Sequence, residues 1–243
     1  MALSLKENAF YCKTRYAKNM KVEYNEALTE TFLRYYRELE SIRDLMPEEY
    51  SFYQRKYSRE FEGFRQIRNF LSHEAYKAKD CVAVSSAVVN DIVMIQKEMG
   101  RSVYDIATKK ILSCRPSSPF REVLELMSEN DLTYLPILEN DHSVLGVISA
   151  NDILDLLVSR PRFSRELIVD DFLPSHFSFA QEHSHGYVFL SRKEPAYRAS
   201  EVFSTLAESK HRVGLILITE NGKREEALLG VITPADLIRH KVN

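Results

Sequence analysis

Two short phrases of the sequence place a hydroxyl and a carboxylate at a spacing that suits a nucleotide. Ser149 and Asp152 follow the run Leu-Gly-Val-Ile, and Thr233 and Asp236 follow the same run later in the chain. A Ser or Thr that begins a helix leaves backbone N–H groups free for a phosphate. The carboxylate three residues later is placed to accept from both hydroxyls of a ribose. The same spacing is that of a helix-capping pair, which folding alone would explain, and both interpretations stay open here.

A second cluster of chemically capable residues lies in the first half of the chain. Arg68 and Asn69 are adjacent, and His73 follows five residues after the arginine. On a helix Asn69 and His73 share a face because they are four residues apart, and the long arginine side chain reaches the same place. The alternative is structural: Arg68 forms an ion pair with Glu60, Glu62 or Glu74, while Asn69 and His73 stabilise the end of the helix near Ser72.

The two halves of the chain differ in the residues that interrupt regular structure. Residues 1–100 contain two glycines and one proline, Pro47, whereas five glycines and seven prolines follow. Few helix breakers over such a length predict long helices, and apolar residues at helical spacing predict a bundle of four. After residue 100, short β-branched runs between glycines and prolines predict strands. We therefore expect a boundary near Gly100 and Arg101.

The second half contains an internal repeat with an offset of 84 residues, from Leu145 to Leu229. Each copy is predicted as strand, helix, strand, turn, strand and helix, with first strands at Lys110–Cys114 and Tyr187–Leu190. The second strand of the first copy is predicted at Tyr134–Leu138. Asn221-Gly222 is predicted to form the hairpin turn of the second copy. Gly214 is taken as the counterpart of Pro136, which leaves the entry of its strand less rigid. Arg212, two residues earlier, is a candidate to meet a phosphate.

The repeated phrases resemble the CBS domain, and the two copies together resemble a tandem CBS pair, or Bateman module. The resemblance implies an α+β chain in which a helical bundle, residues 1–100, precedes two pseudo-symmetric βαββα units at 101–160 and 161–243, with a joint over 161–186. It also implies a regulatory adenine nucleotide (AMP, ADP or ATP) in the cleft between the units, and a disc-shaped homodimer. The implied ligand contacts are Ser149, Asp152, Thr233 and Asp236.

The phrase that holds Arg68, Asn69 and His73 resembles the Arg-x(4–6)-His signature of the HEPN superfamily. The polar residue after the arginine is typical of its RNA-cleaving members. In RNA cleavage by 2′-hydroxyl attack, a histidine moves protons and a permanent cation stabilises the phosphorane, and these residue types fit both roles. The resemblance implies a metal-independent ribonuclease site that two chains form together. The superfamily also contains members that only bind nucleotides or partners.

Composition limits the remaining function classes. The net charge of −2 gives no global basic field, so we expect no DNA partner and keep RNA only as a candidate. Three scattered cysteines argue against a disulfide framework. The sequence has no secretion signal and no apolar run of about 20 residues, which predicts a cytoplasmic protein without a membrane partner. No metal is expected, because three histidines in the joint have no spacing that demands one: His176, His183 and His185.

The function predicted from these features is a cytoplasmic sensor. The tandem pair binds an adenine-type nucleotide, and binding changes the packing that reaches the helical domain. The alternative is an enzyme, a nucleotide-regulated ribonuclease with Arg68, Asn69 and His73 at its centre. A third interpretation is an interaction module in which the clefts stay empty.

Overall fold

The fold is described from a computed structural model of the 243-residue chain. Five stretches are described: residues 26–72, 84–159, 167–172, 186–207 and 213–241. The chain divides into two compact units, an N-terminal unit of residues 1–100 and a C-terminal unit of residues 101–243, and each is described by itself. No helix in the described stretches combines the length and the apolar character needed to cross a membrane.

The described part of the N-terminal unit consists of helices. Their bounds are α1 Glu26–Leu45, α2 Pro47–Lys56, α3 Ser58–Ser72 and α4 Ser86–Met99. Pro47 occupies the first turn of α2, where its missing N–H costs nothing. The Ser85 side chain accepts from the Val88 N–H and so begins α4. The predicted helical half is confirmed in these stretches.

Each long helix of this unit turns one apolar stripe inward, as the spacing predicts. Phe32 and Leu39 of α1 are buried, and Phe32 meets Phe64 of α3 edge to face with ring centroids 6.1 Å apart. Ile92 and Ile95 of α4 are fully buried. Aromatic rings therefore fill much of the core between these helices.

The C-terminal unit mixes helices with short strands. Its helices are α5 Val103–Ile106, α6 Phe120–Glu129, α7 Ala150–Ser159, α8 Tyr197–Ala207 and α9 Pro234–Lys241. Its strands are β1 Tyr134–Leu138, β2 Val144–Ser149, β3 Tyr187–Ser191, β4 Leu215–Thr219 and β5 Gly230–Ile232. The chain is thus a mixture of helix and sheet. We call the part around β1 and β2 the first repeat and the part around β3, β4 and β5 the second repeat.

The predicted strand at Lys110–Cys114 is wrong. In the first repeat β1 and β2 pair antiparallel, and Cys114 joins β1 only through a single parallel bridge to Ile137. The next hydrogen bond of a parallel ladder would run from the N–H of residue 136 to the carbonyl of Leu112. Pro136 has no N–H, so the pairing ends there.

The second repeat contains a three-stranded sheet, whereas the first repeat has a sheet of two strands. Strand β3 lies parallel to β4 over five residue pairs, and β4 lies antiparallel to β5. The register pairs Val231 with Leu217, whereas in the first repeat Val147 pairs with Pro136. The counterpart of Pro136 is therefore Leu217, and the predicted match between Pro136 and Gly214 is wrong by three residues.

The core of each repeat contains a short segment that precedes the other repeat in the chain. Val103 and Ile106, which precede the first repeat, are buried in the core of the second repeat. Val169 and Phe172, which lie in the predicted joint, are fully buried in the core of the first repeat. The interpretation of the joint as a surface loop is therefore wrong for residues 167–172, which include a 3-10 helix, Val169–Asp171. The division at residue 160 stays a prediction.

The connection between β4 and β5 is a long loop and not the predicted two-residue hairpin turn. Gly222 has a φ of 77°, which suits glycine, but Ile218 is the last residue of β4 that pairs with β5, and its partner is Gly230. The Glu226 carboxylate organises the loop by accepting from the backbone and side-chain nitrogens of Asn221 at 2.7 Å each. These bonds lower the pKa of Glu226 to about 2.

Candidate functional site

The first predicted ligand turn, Ser149 to Asp152, connects β2 to α7. The Asp152 carboxylate accepts from the Ser149 hydroxyl at 2.6 Å and from the Ser149 N–H at 3.1 Å. The Ser149 hydroxyl accepts in return from the Asp152 N–H at 3.1 Å. This is the reciprocal capping pair expected at a helix start. The turn is therefore rigid without a ligand, and it presents a hydroxyl and a carboxylate side by side.

The second predicted ligand turn, Thr233 to Asp236, connects β5 to α9, and its aspartate is more deeply buried than Asp152. Asp236 Oδ2 accepts from the Thr233 N–H and from the Thr233 hydroxyl, both at 2.8 Å. Asp236 Oδ1 accepts from the Thr108 hydroxyl at 3.2 Å and lies 3.6 Å from the Arg239 guanidinium. Only 6% of Asp236 is exposed, and these donors compensate for the removal of its carboxylate from water.

Thr108 reaches Asp236 because the chain before the first repeat crosses to the second repeat. Backbone bonds in both directions join Thr108 to Val231 of β5, at 2.9 and 3.0 Å. The second turn is therefore built from residues far apart in sequence. Thr108 is a site residue that the sequence reasoning missed, since nothing in its neighbourhood distinguishes it from an ordinary surface threonine.

Tyr134 lies beside the first turn and reaches the second repeat. It pairs directly with Ser149 in the β1–β2 ladder, so the two side chains share one face of the sheet. The end of its ring occupies the space that a side chain at Gly214 would fill. Burial raises the pKa of Tyr134, and the neighbouring Asp152 carboxylate raises it further. Sequence reasoning missed this residue as well.

An apolar cluster holds the two repeats together beneath these turns. Its buried members come from both repeats, since Val144 and Val147 of β2 pack with Leu215 and Leu217 of β4. Leu228 and the half-buried Tyr134 complete the contact. The cluster fixes the spacing between the first and second repeats, so each turn keeps a defined distance from the facing repeat.

The remaining predicted residues are placed only in part. Arg68 and Asn69 lie in the last turns of α3, and Asn69 is exposed. Arg68 acts on Tyr36, where it opposes the upward pKa shift caused by burial and by Glu40. His73 and Arg212 lie outside the described residues, as do the three histidines of the joint. Within the described stretches, no three His, Cys, Asp or Glu side chains are grouped closely enough to hold a metal ion.

Comparison with known proteins finds a similarity for part of this unit. Residues 103–159 match the CBS domain. An uncharacterised protein of Methanocaldococcus jannaschii is 23% identical over 150 residues, which are 61% of this chain and 42% of that protein. The chain spans less than half the length of the curated relatives it matches.

Solved structures that are similar to the chain include two adenosine-ligand complexes. The CBSX2 protein in complex with AMP is 21% identical and aligns over 59% of this chain and 97% of that one, with a TM-score of 0.44. A CBS domain pair in complex with methylthioadenosine and S-adenosylmethionine is 13% identical over 58% of this chain and 95% of that one, with a TM-score of 0.42. The similarity to the CBS domain family thus covers residues 103–159.

Proposed function

We propose that the C-terminal unit is a tandem CBS pair that binds an adenine-type nucleotide and regulates the helical unit. The observation that carries this proposal is the second turn, where a buried carboxylate is held by hydroxyls from Thr108 and Thr233. Burying an ionised carboxylate is costly unless donors surround it. At the start of a helix, such a carboxylate can accept from ribose hydroxyls, and the helix N–H groups can donate to a phosphate.

The contacts at Asp236 suggest how a nucleotide would bind there. The ribose hydroxyls would donate to the Asp236 carboxylate, in place of or beside the Thr108 hydroxyl. The Ala235 N–H in the first turn of α9 and the Arg239 guanidinium are positive partners for a phosphate. Arg239 is well suited to this role because 71% of its side chain is exposed, so it can turn away from Asp236.

Calorimetric titration of the full chain with AMP, ADP, ATP and S-adenosylmethionine tests the proposal. We expect at least one of these ligands to bind with micromolar affinity. The double variant Asp152→Ala/Asp236→Ala should lose the binding, because both turns lose their ribose acceptor. Asp155→Ala, on the exposed face of α7, is the matched control and should bind as the unmodified chain does. Unaltered binding by the double variant would exclude both turns.

We further propose that the bound nucleotide acts by changing a population of states in the whole chain. A ligand shifts such an equilibrium only as far as its affinities for the two states differ. The helical unit is the proposed receiver of the signal, and a homodimer is the proposed form of the protein. Hydrogen exchange of residues 26–72, measured with and without saturating ligand, tests this step. An identical exchange pattern in α1, α2 and α3 would contradict it.

Ribonuclease activity of the helical unit is the second proposal. One observation favours it: Glu62, offered above as a structural partner of Arg68, is bound instead by Arg65 and Gln66 at 2.8 to 3.1 Å. Of the three glutamates considered as structural partners of Arg68, Glu62 is therefore engaged by other residues. The test is RNA cleavage by the purified dimer and by His73→Ala. Equal cleavage by both would place the activity elsewhere.

A further inference from the structure

The two turns differ in what stands opposite them on the neighbouring strand. Tyr134 lies directly opposite Ser149 in the first repeat. In the second repeat, Ile216 pairs with Ile232, so the same ladder continued by one residue sets Leu215 opposite Thr233. Leu215 is 2% exposed and packs into the cluster between the repeats. The first turn thus faces a half-buried tyrosine, and the second faces a buried leucine.

The Tyr134 ring extends from the first turn to the facing repeat. Its side chain starts on the same face as Ser149, and its hydroxyl end lies against the backbone of Gly214, where a Cβ atom would overlap it. Gly214 is fixed in turn by a 3.0 Å bond from its N–H to the Gly186 carbonyl. The ring therefore crosses the space between the Ser149–Asp152 turn and the start of β4, which a sugar or base bound at that turn would need.

Among the described residues, the strand position opposite the second turn holds Leu215 instead of a ring, and Thr108 adds a polar group to this turn. Thr108 contributes a hydroxyl to Asp236, a small group that can exchange partners with a ribose without moving the backbone. For the first turn, the hydrogen bonds to Asp152 in the described stretches come only from Ser149. The two turns are therefore alike in the repeated phrase, but the described residues around them differ.

We propose that Tyr134 closes the first turn, so that each chain binds one nucleotide, at Thr233 and Asp236. This inference rests on the proposed function and adds the stoichiometry and the residue that sets it. Gly214 is the necessary partner, since any larger residue at that position would overlap the ring. The unequal turns make the protein a single-site sensor per chain, although its sequence repeats the ligand phrase.

Calorimetric titration with AMP and, separately, with S-adenosylmethionine tests the closure. We expect one ligand per chain, loss of at least tenfold in affinity with Asp236→Ala, and unchanged binding with Asp152→Ala. Tyr134→Ala should bind two ligands per chain, and adding Asp152→Ala to it should restore one. Tyr134→Phe keeps the ring and should still bind one ligand per chain. This control shows that the ring, and not its hydroxyl, closes the turn, and that β1 tolerates a substitution at this position.

The outcomes separate this inference from the proposed function. Two ligands bound per unmodified chain would overturn the closure and leave the nucleotide function standing. Loss of binding with Asp152→Ala but not with Asp236→Ala would do the same. A stoichiometry of one in a folded Tyr134→Ala variant would also overturn it. Binding of neither probe to the unmodified chain or to Tyr134→Ala would overturn both proposals.

Discussion

Glu49 is a buried acid in the helical unit whose ionisation should control stability. Only 4% of it is exposed, and its Oε1 atom receives no hydrogen bond within the described residues. Burial raises the pKa of Glu49 to about 7. Because the folded-state pKa is the higher one, the protonated acid is favoured by folding. The stabilising contribution is complete below the unfolded pKa of 4.5 and is lost as the pH rises through 7.

Glu49→Gln should therefore stabilise the protein at pH 8 and change little at pH 5. The amide keeps the shape and removes the charge, and we expect a gain on the order of 2 kcal/mol at the higher pH. Thermal unfolding at the two pH values measures it. Glu48→Gln, one residue earlier and exposed, is the control. An equal effect of Glu49→Gln at both pH values would show that ionisation is not the cause.

Part of the candidate site could be predicted from the sequence, and the reason is local. The pairs Ser149–Asp152 and Thr233–Asp236 bond within a single helix turn, so their spacing in sequence fixes their geometry. Thr108 could not be predicted, because it meets Asp236 across 128 positions of sequence. The repeat also hid the difference between the turns, since that difference lies in Tyr134, outside the repeated phrase.

At the scale of elements, the absent strand of the first repeat has a measurable consequence. Segment Lys110–Cys114 has one bridge to β1, whereas Tyr187–Ser191 pairs with β4 along its whole length. We expect hydrogen–deuterium exchange to find fewer protected amides in residues 110–114 than in residues 187–191, because fewer backbone groups are bound in the ladder. Equal protection of the two segments would contradict the explanation that Pro136 ends the pairing with β1.

The elements that could be predicted are those whose pattern is local. Strand β1 was predicted at Tyr134–Leu138 and is found there, since its apolar run is bounded by clear turn residues. The prediction of a strand at Lys110–Cys114 is wrong because Pro136, which ends the pairing, lies in the partner strand and not in this segment. The packing of Val103 and Phe172 could not be predicted for a related reason. Each is an ordinary apolar residue, and only the tertiary fold assigns it to the opposite repeat.

At the scale of the whole molecule, exposed apolar side chains bear on the proposed homodimer. Leu154, Leu157 and Val158 lie three and four residues apart on α7, and 58%, 44% and 85% of their surfaces are exposed. Ile238 on α9 is 66% exposed. A contiguous apolar stripe of this kind is unusual on a surface that remains in water. Burial against a second copy would remove it from solvent and join the helices that follow the two ligand turns.

Val158→Glu should therefore weaken self-association at least tenfold, since it introduces a charge into an apolar contact. Sedimentation velocity over a range of protein concentrations measures the effect. Lys223→Glu introduces the same side chain in the exposed loop between β4 and β5 and should leave association unchanged. A monomeric unmodified chain would overturn the homodimer, and an unaltered dimer in Val158→Glu would move the interface away from α7. If the dimer forms through α7 and α9, nucleotide binding at Asp236 and self-association share one helix. Any factor by which the nucleotide changes the affinity of self-association is then the factor by which self-association changes nucleotide affinity.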